Sequence, residues 1–273
     1  MPSIKENLQM WGSDYGWTKE GEEWSITWGD SESQWFGTIL PRIHAFIPTT
    51  TILEIAPGFG RWTHYLKNHC NNLIVVDLAE NCIKACQQRF SYDTHISYHV
   101  NDGKNLEMIA DNSIDFIFSY DSLVHAEADV IQAYLHQLSR KLKPDGVGFI
   151  HHSNMGEYKQ FFSVSKKLPR VIKKYLIKTH LLDHTHWRAF TMTAEMFEKS
   201  CIKADLVCIA QELINWRTRR LIDCFSLFTK KTSVWANENK IVKNPDFMKE
   251  ANRVKRLSML YSNPLKNNKV VVR

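Results

Sequence analysis

Between residues 51 and 153, short apolar runs alternate with stretches whose apolar positions recur every three or four residues. That is the rhythm of strand, helix and parallel strand in an α/β sheet. The runs 51–56, 73–78, 96–101, 114–120 and 146–152 predict five strands, each bounded by Gly, Pro, Asn or Asp. Between them, 61–69 carries Trp62, Tyr65 and Leu66 at helical spacing, 80–90 carries Ile83, Cys86 and Phe90, and 128–142 carries Ile131, Leu135, Leu138 and Leu142. Lys143-Pro144-Asp145-Gly146 is turn chemistry that predicts a return of the chain into the sheet.

After the fifth run the alternation stops. Residues 155–186 are basic and helical in period and predict an inserted lid, followed by an amphipathic helix over 192–204. The runs 207–216 and 221–230, separated only by 217–220, predict an antiparallel hairpin closing the sheet edge. The predicted fold class is α/β: a Rossmann-like, seven-stranded, mostly parallel sheet with an antiparallel edge hairpin, helices on both faces and a helical lid insertion. Residues 1–50 hold Trp11, Trp17, Trp24, Trp28 and Trp35, too aromatic for a disordered tail, and predict a cap. Residues 51–231 form the sheet domain, and 232–273 an extension with a helix over 245–261.

Composition narrows the class without changing the pattern. The chain has 273 residues, 44% hydrophobic and 23% charged, which suits a buried core and excludes wholesale disorder. No apolar run reaches the roughly eighteen residues of a membrane span, and the first residues lack an export-signal pattern, so a cytoplasmic protein with reduced cysteines is expected. The 6 cysteines contain no C-x-x-C pair and read as small buried hydrophobes. A net charge of +6 permits an anionic partner without requiring one.

The first run delivers Glu54-Ile55-Ala56-Pro57-Gly58-Phe59-Gly60 into a helix, and such glycines let backbone pass close to a ligand where the strands end. Asp77 closes the second run, where a carboxylate can accept both hydroxyls of a ribose. Its structural alternative is a helix N-cap ahead of Glu80. Asp102-Gly103 closes the third, where a carboxylate can accept the exocyclic amine of an adenine, the alternative being a plain turn. A dinucleotide site wants a small residue where this chain has Thr63. Glu54 would repel a pyrophosphate but suits a cationic sulfonium cofactor with a free amino group, so S-adenosylmethionine is favoured over NAD.

Together, Glu54-x-x-Pro-Gly-x-Gly, Asp77, Asp102-Gly103, the run Ser113-Ile114-Asp115-Phe116-Ile117-Phe118-Ser119 and Leu142-Lys143-Pro144-Asp145-Gly146-Val147-Gly148-Phe149 resemble the class I S-adenosylmethionine-dependent methyltransferases over residues 50–230. The resemblance implies that the Glu54 to Gly60 loop, with Ala56, Gly58 and Gly60, holds the amino-acid part of the cofactor. Asp77 with Leu78 would hold the ribose, Asp102 with Gly103 the adenine, and Tyr120 and Asp121 would lie beneath the methyl group. S-adenosylhomocysteine would be the product. Pro57, where many members have Gly or Cys, departs from the pattern and should stiffen the loop.

Methyl transfer needs a positioned nucleophile and, for a hydroxyl, a base. The ends of the fourth and fifth runs offer His125 and His152 as bases and Asp121 as an orienting carboxylate, with the choice between the histidines, or neither, left open. Neighbouring strand residues face opposite sides, so one of His151 and His152 must point away. Trp28 or Trp35 is the choice for stacking on a sugar or adenine. Asp183-His184-Thr185-His186 has too few ligands for a metal, and none is expected; with Trp187 and Arg188 it would line the acceptor pocket.

The leading expectation is O-methylation of a hydroxyl on a sugar or secondary metabolite, in natural product biosynthesis. A peptidic amine or carboxylate, or a non-catalytic cofactor-binding protein, is the alternative. A nucleic-acid methyltransferase is disfavoured because Ser119-Tyr120-Asp121-Ser122 stands where base-amine methylases have an Asn/Asp-Pro-Pro-aromatic tetrad. Lys166, Lys167, Arg170, Lys173, Lys174 and Lys178 in the lid suit an anionic or lipid-linked acceptor, or peripheral membrane contact. Whether the first fifty residues close over the cofactor or form a homodimer contact is left open.

Overall fold

The structure, a computed structural model, describes residues 2–169, 172, 175, 176, 178, 183 and 187–261. Eight strands form one sheet: β1 (Thr49–Ile55), β2 (Cys70–Asp77), β3 (Ile96–Val100), β4 (Ile114–Ser119), β5 (Leu142–Ser153), β6 (Leu206–Ile214), β7 (Asp223–Lys230) and β8 (Lys240–Asn244). Their order is β3-β2-β1-β4-β5-β7-β6-β8. From β3 to β5 every pair is parallel, β7 runs antiparallel to both β5 and β6, and β8 is parallel to β6.

The sheet thus has one strand more than the expected seven, contributed by the C-terminal extension. Lys240–Asn244 is exposed over most of its length, so it lacks the apolar alternation that reveals a buried strand. The hairpin is present, but β7 inserts between β5 and β6, and β8 rather than the hairpin closes that side. The Lys143 to Gly146 turn is absorbed into β5 as an irregularity: the register passes from Ile114 opposite Leu142 to Phe116 opposite Val147.

Strand alternation divides the core into two layers. Ile52, Val75, Phe116, Phe118 and Phe149 face Trp28, Trp35, Ile39 and the C-terminal helix Phe247–Tyr261. Leu53, Val76, Ile117 and Ile150 face the helices Ala128–Lys141 and Ala194–Lys203. Both faces being covered explains why the central runs are nearly continuous in apolar residues.

Gly148 sits where β5 crosses Phe228, and a Cβ there would fall inside van der Waals contact of that ring. Gly148→Ala is expected to cost about 1–3 kcal/mol by overpacking, lowering Tm by about 2–4 °C for each kcal/mol. An unchanged melting curve would show that the ring yields freely.

Of the lid, a turn at Met155–Tyr158 and the helix Lys159–Lys167 are described. Arg170, Lys173, Lys174, His184, Thr185 and His186, and the side chains of Lys166 and Lys167, lie outside the described residues. Among the described residues, no helix is long and apolar enough to cross a membrane and no group of three metal-ligating side chains occurs.

Candidate active site

At the carboxyl ends of β1, β2 and β4 lies a cleft lined in part by Trp11, Trp17 and Trp24. Its floor is the loop after β1. Ala56 (φ 58°), Gly58 (φ 60°) and Gly60 (φ 82°) are left-handed there, and for Ala56 that is a strained conformation which surrounding contacts must enforce. The contacts are visible: Ala56 N–H donates to Val76 O (2.7 Å), and Ser122 Oγ donates to Ala56 O (2.7 Å). A Cβ on Gly58 would lie 2.7 Å from the Trp17 ring, so the close approach of backbone and cap requires glycine.

Asp77 closes β2 and lines this cleft. It accepts the N–H groups of Ala79 (2.8 Å) and Gly58 (3.2 Å), so one carboxylate ties the glycine loop to the start of the next helix. Burial pushes its pKa up to about 6, against the pull of those hydrogen bonds. Leu78, Gly103 and Tyr120 also line the cleft.

Glu54 and Asp102 are placed differently from expectation, and the three carboxylates do not converge. Glu54 is buried beneath the loop, outside the cleft lining, and accepts from Thr63 Oγ1 (2.6 Å). Burial pushes its pKa up to about 8, with the charge of Asp77 acting in the same direction. Asp102 is exposed and accepts the backbone N–H groups of Lys104 (2.8 Å) and Asn105 (2.7 Å). Those bonds hold it below the usual carboxylate range. A short acidic side chain at a strand end can satisfy its own turn in this way, and here the turn takes it away from the cleft.

The two raised carboxylates bind protons more tightly in the folded protein than in the unfolded chain, where carboxylates titrate near 4. Their stabilising effect is therefore complete at acid pH below the unfolded values and is lost as pH rises through about 6 for Asp77 and about 8 for Glu54. The cofactor-free protein should lose Tm between about pH 5 and 8, and Glu54→Gln should flatten that fall. Identical slopes in the two proteins would contradict it.

Beyond β4, Asp121 (φ 62°) turns back into the cleft. Its Oδ2 accepts from the Arg61 guanidinium (3.1 Å), and its Oδ1 lies 3.7 Å from that of Arg188. Arg61 is itself held over Trp62, 4.5 Å from the ring centre, and donates to Ser25 Oγ (3.1 Å). His125 lines the cleft between Trp11 (5.2 Å) and Trp187 (4.8 Å). Burial, assisted by the charge of Arg188, pushes its pKa down to about 3, so its ring is neutral at working pH.

His152 is not at the site. It lies on the other face of the sheet, stacked 4.4 Å from Phe197 and bonded to Ser226 Oγ (2.8 Å). Its neighbour His151 faces Tyr120 and accepts the Asp121 N–H at Nδ1 (3.1 Å). Strand alternation said that one of the pair must turn away, but only the packing shows which. Trp28 and Trp35 are likewise core: Trp28 donates to Thr38 Oγ1 (2.9 Å) and Trp35 stacks on Tyr65 (5.1 Å). The cleft is lined instead by Trp11, Trp17 and Trp24, with Trp17 stacked 4.5 Å from Phe59 of the glycine loop.

Arg61 escaped the sequence reading, although its place immediately after the Gly58-Phe59-Gly60 turn was a signal. Asp223 had none, because it looks like any strand-end acid.

The cleft fits an adenosyl cofactor in three respects. The loop Ala56 to Phe59 lines the cleft, Asp77 offers the acceptor a ribose needs, and two buried cleft atoms, Trp62 Nε1 and His125 Nδ1, have no hydrogen-bond partner among the described residues.

Residues 52–146 match the family model described as a methyltransferase domain. Phosphoethanolamine N-methyltransferase 1 of Triticum aestivum is 29% identical over 119 residues, 41% of this chain and 24% of that protein. A second phosphoethanolamine N-methyltransferase of Triticum aestivum is 25% identical over 153 residues, 53% of this chain and 30% of that protein. The chain thus spans roughly a quarter to a third of the length of these relatives.

Among solved structures, the N-methyltransferase NodS from Bradyrhizobium japonicum WM9, in complex with S-adenosylhomocysteine, aligns with TM-score 0.54 and 14% identity. It covers 84% of this chain and 99% of that one. The PH0226 protein from Pyrococcus horikoshii OT3 aligns with TM-score 0.53 and 18% identity, covering 75% and 95%. At these identities the likeness is one of fold. The segment 52–146 is a methyltransferase domain carried on that fold.

Proposed function

We propose that this chain, bearing a methyltransferase domain of the S-adenosylmethionine-dependent class, methylates a small molecule held between the glycine loop and the aromatic cap. The observation that carries the reading is the cleft itself, where Ala56 to Phe59, Asp77, Gly103 and Tyr120 to Leu123 meet at the strand ends. When bound, S-adenosylmethionine supplies an electrophilic methyl group on sulfur, and its transfer leaves the electron pair on sulfur while the acceptor gives up a proton. Asp77 would accept the ribose hydroxyls, and Trp11, Trp17 and Trp24 would exclude water and any polymeric acceptor.

The groups facing the cleft favour one class of acceptor over another. General-base catalysis contributes about 10²–10⁴-fold when the base titrates near working pH, and His125, with its pKa pushed down to about 3, is poorly matched to that task. Positioning of the nucleophile can supply about 7–11 kcal/mol without any base. An amine, nucleophilic in its free form, is therefore the acceptor best served, with Asp121 orienting its N–H. The matched segment of the phosphoethanolamine N-methyltransferases points to the same chemistry. A hydroxyl on a sugar or secondary metabolite is the second reading, favoured by the Asp121 carboxylate as a hydrogen-bond acceptor.

Calorimetry with S-adenosylhomocysteine tests the cofactor, and a mass-spectrometric screen of small amines and hydroxylated acceptors tests the substrate. No binding of S-adenosylhomocysteine would overturn the reading. An amine acceptor should give a rate rising with pH toward the acceptor's own pKa. A rate inflecting near the ordinary histidine pKa of about 6.5 would return His125 to the role of base only if the inflection is lost in His125→Gln, since Asp77, pushed up to about 6, titrates in the same range.

A further inference from the structure

Asp223, at the start of β7, is fully buried, as is His151 on β5, and Arg188 is nearly so. None of the three lines the cleft. Arg188 Nε donates to Asp223 (3.1 Å to Oδ1, 3.3 Å to Oδ2) and its second amino group approaches Oδ2 (3.3 Å). His151 Nε2 lies 3.4 Å from the same Oδ2. Both partners of Asp223 then reach Asp121, by different routes: Arg188 lies 3.7 Å from its carboxylate, and His151 Nδ1 accepts its backbone N–H (3.1 Å).

That second bond fixes the ring. A histidine accepting at Nδ1 carries its proton on Nε2, where Asp223 faces it. Asp121 is left-handed at φ 62°, a conformation that a residue with a Cβ keeps only when its surroundings over-determine it. The side chain accepts a hydrogen bond from Arg61 (3.1 Å) and has the Arg188 guanidinium 3.7 Å from its other oxygen, and the backbone N–H donates to His151.

We propose that Asp223, acting through Arg188 and His151, is a positioning residue that presets Asp121 in the cleft for the methyl acceptor, an inference that rests on the cleft being the site of transfer. Asp223 is hydrogen-bonded to Arg188 and faces His151 Nε2 at 3.4 Å without closing a hydrogen bond to it, so it adjoins both groups that reach Asp121 while lying outside the cleft lining. Removing a group that orients a functional residue costs about 10–100-fold where it has been tested, and misplacing a reacting group by about an ångström lowers the rate. A purely structural ion pair would have no reason to converge on one cleft residue through two separate partners.

Two variants test this. Asp223→Asn keeps size and removes the charge. His151→Phe suits an aromatic neighbourhood of Tyr120, Trp216 and Phe225 and removes both the acceptor of the Asp121 N–H and the Nε2–H that faces Asp223. Both should lower kcat at least about tenfold, with acceptor KM and S-adenosylhomocysteine Kd within about threefold of wild type, and Asp223→Glu should restore part of the rate. Crystal structures give a readout independent of activity: in His151→Phe the φ of Asp121 should leave the left-handed region.

Wild-type kcat in both variants, or an unchanged Asp121 backbone, overturns the inference. So does a parallel loss of cofactor affinity, which would mark a general structural role. Failure of the wild-type protein to bind S-adenosylhomocysteine would instead strike the functional reading, leaving the Asp121 geometry in His151→Phe to decide the positioning role.

Discussion

Asp77→Asn is expected to weaken S-adenosylhomocysteine binding about 100-fold or more. A hydrogen bond to a charged acceptor contributes about 1.5–3 kcal/mol, and each 1.4 kcal/mol is about tenfold in affinity. The carboxylate that would meet two ribose hydroxyls also receives the N–H groups of Gly58 and Ala79, and an asparagine has one oxygen to serve all four. Loss of folding would not explain the result. Because burial already raises the pKa of Asp77 to about 6, removing the charge relieves a desolvation cost above that pH, which offsets the roughly 1–3 kcal/mol cost of leaving one N–H unpaired, so the variant should remain folded. Calorimetry and a melting curve at neutral pH measure both quantities. Affinity within about threefold of wild type would remove Asp77 from the ribose site.

The second large effect is on turnover. Asp121→Asn should lower kcat about 100-fold, the cost expected when a reacting group is displaced by about an ångström, while cofactor affinity changes by less than about threefold. Asparagine is the suitable replacement because it tolerates the left-handed backbone at φ 62° better than other residues. Removing the charge leaves Arg61 buried without its carboxylate, and breaking a buried pair costs about 3–5 kcal/mol, so Tm should fall as well. Asp121→Glu separates the two effects: it keeps the charge but displaces it, and should melt closer to wild type than Asp121→Asn, short of it by the roughly 1–2 kcal/mol of a left-handed glutamate, while remaining slow. Full turnover in both proteins would show that the acceptor is oriented by something else.

How much of the site was readable depended on how local its causes are. The glycine turn after β1 and the acid ending β2 are set by a few consecutive residues, and both line the cleft. Asp102 carried the same local signature as Asp77, yet its own turn captured the side chain. The bonds that distinguish the two reach across the sheet in one case and along the chain in the other. The tryptophans show the same limit: their number announced a packed cap, but Trp28 and Trp35 were indistinguishable from Trp11 and Trp17 until the layer they entered was known.

By itself, the sequence determined the parallel sheet, the helices around it, the glycine loop and the acid at the end of β2, because hydrophobic period and turn chemistry act over a few residues. Only the tertiary structure decided that Lys240–Asn244 joins the sheet, that His151 rather than His152 stands behind the cleft, and that Arg61 and Arg188 meet at Asp121 with Asp223 paired to Arg188. Those outcomes rest on contacts between residues far apart in the chain, where each partner's meaning depends on a face or a neighbour that no local pattern encodes.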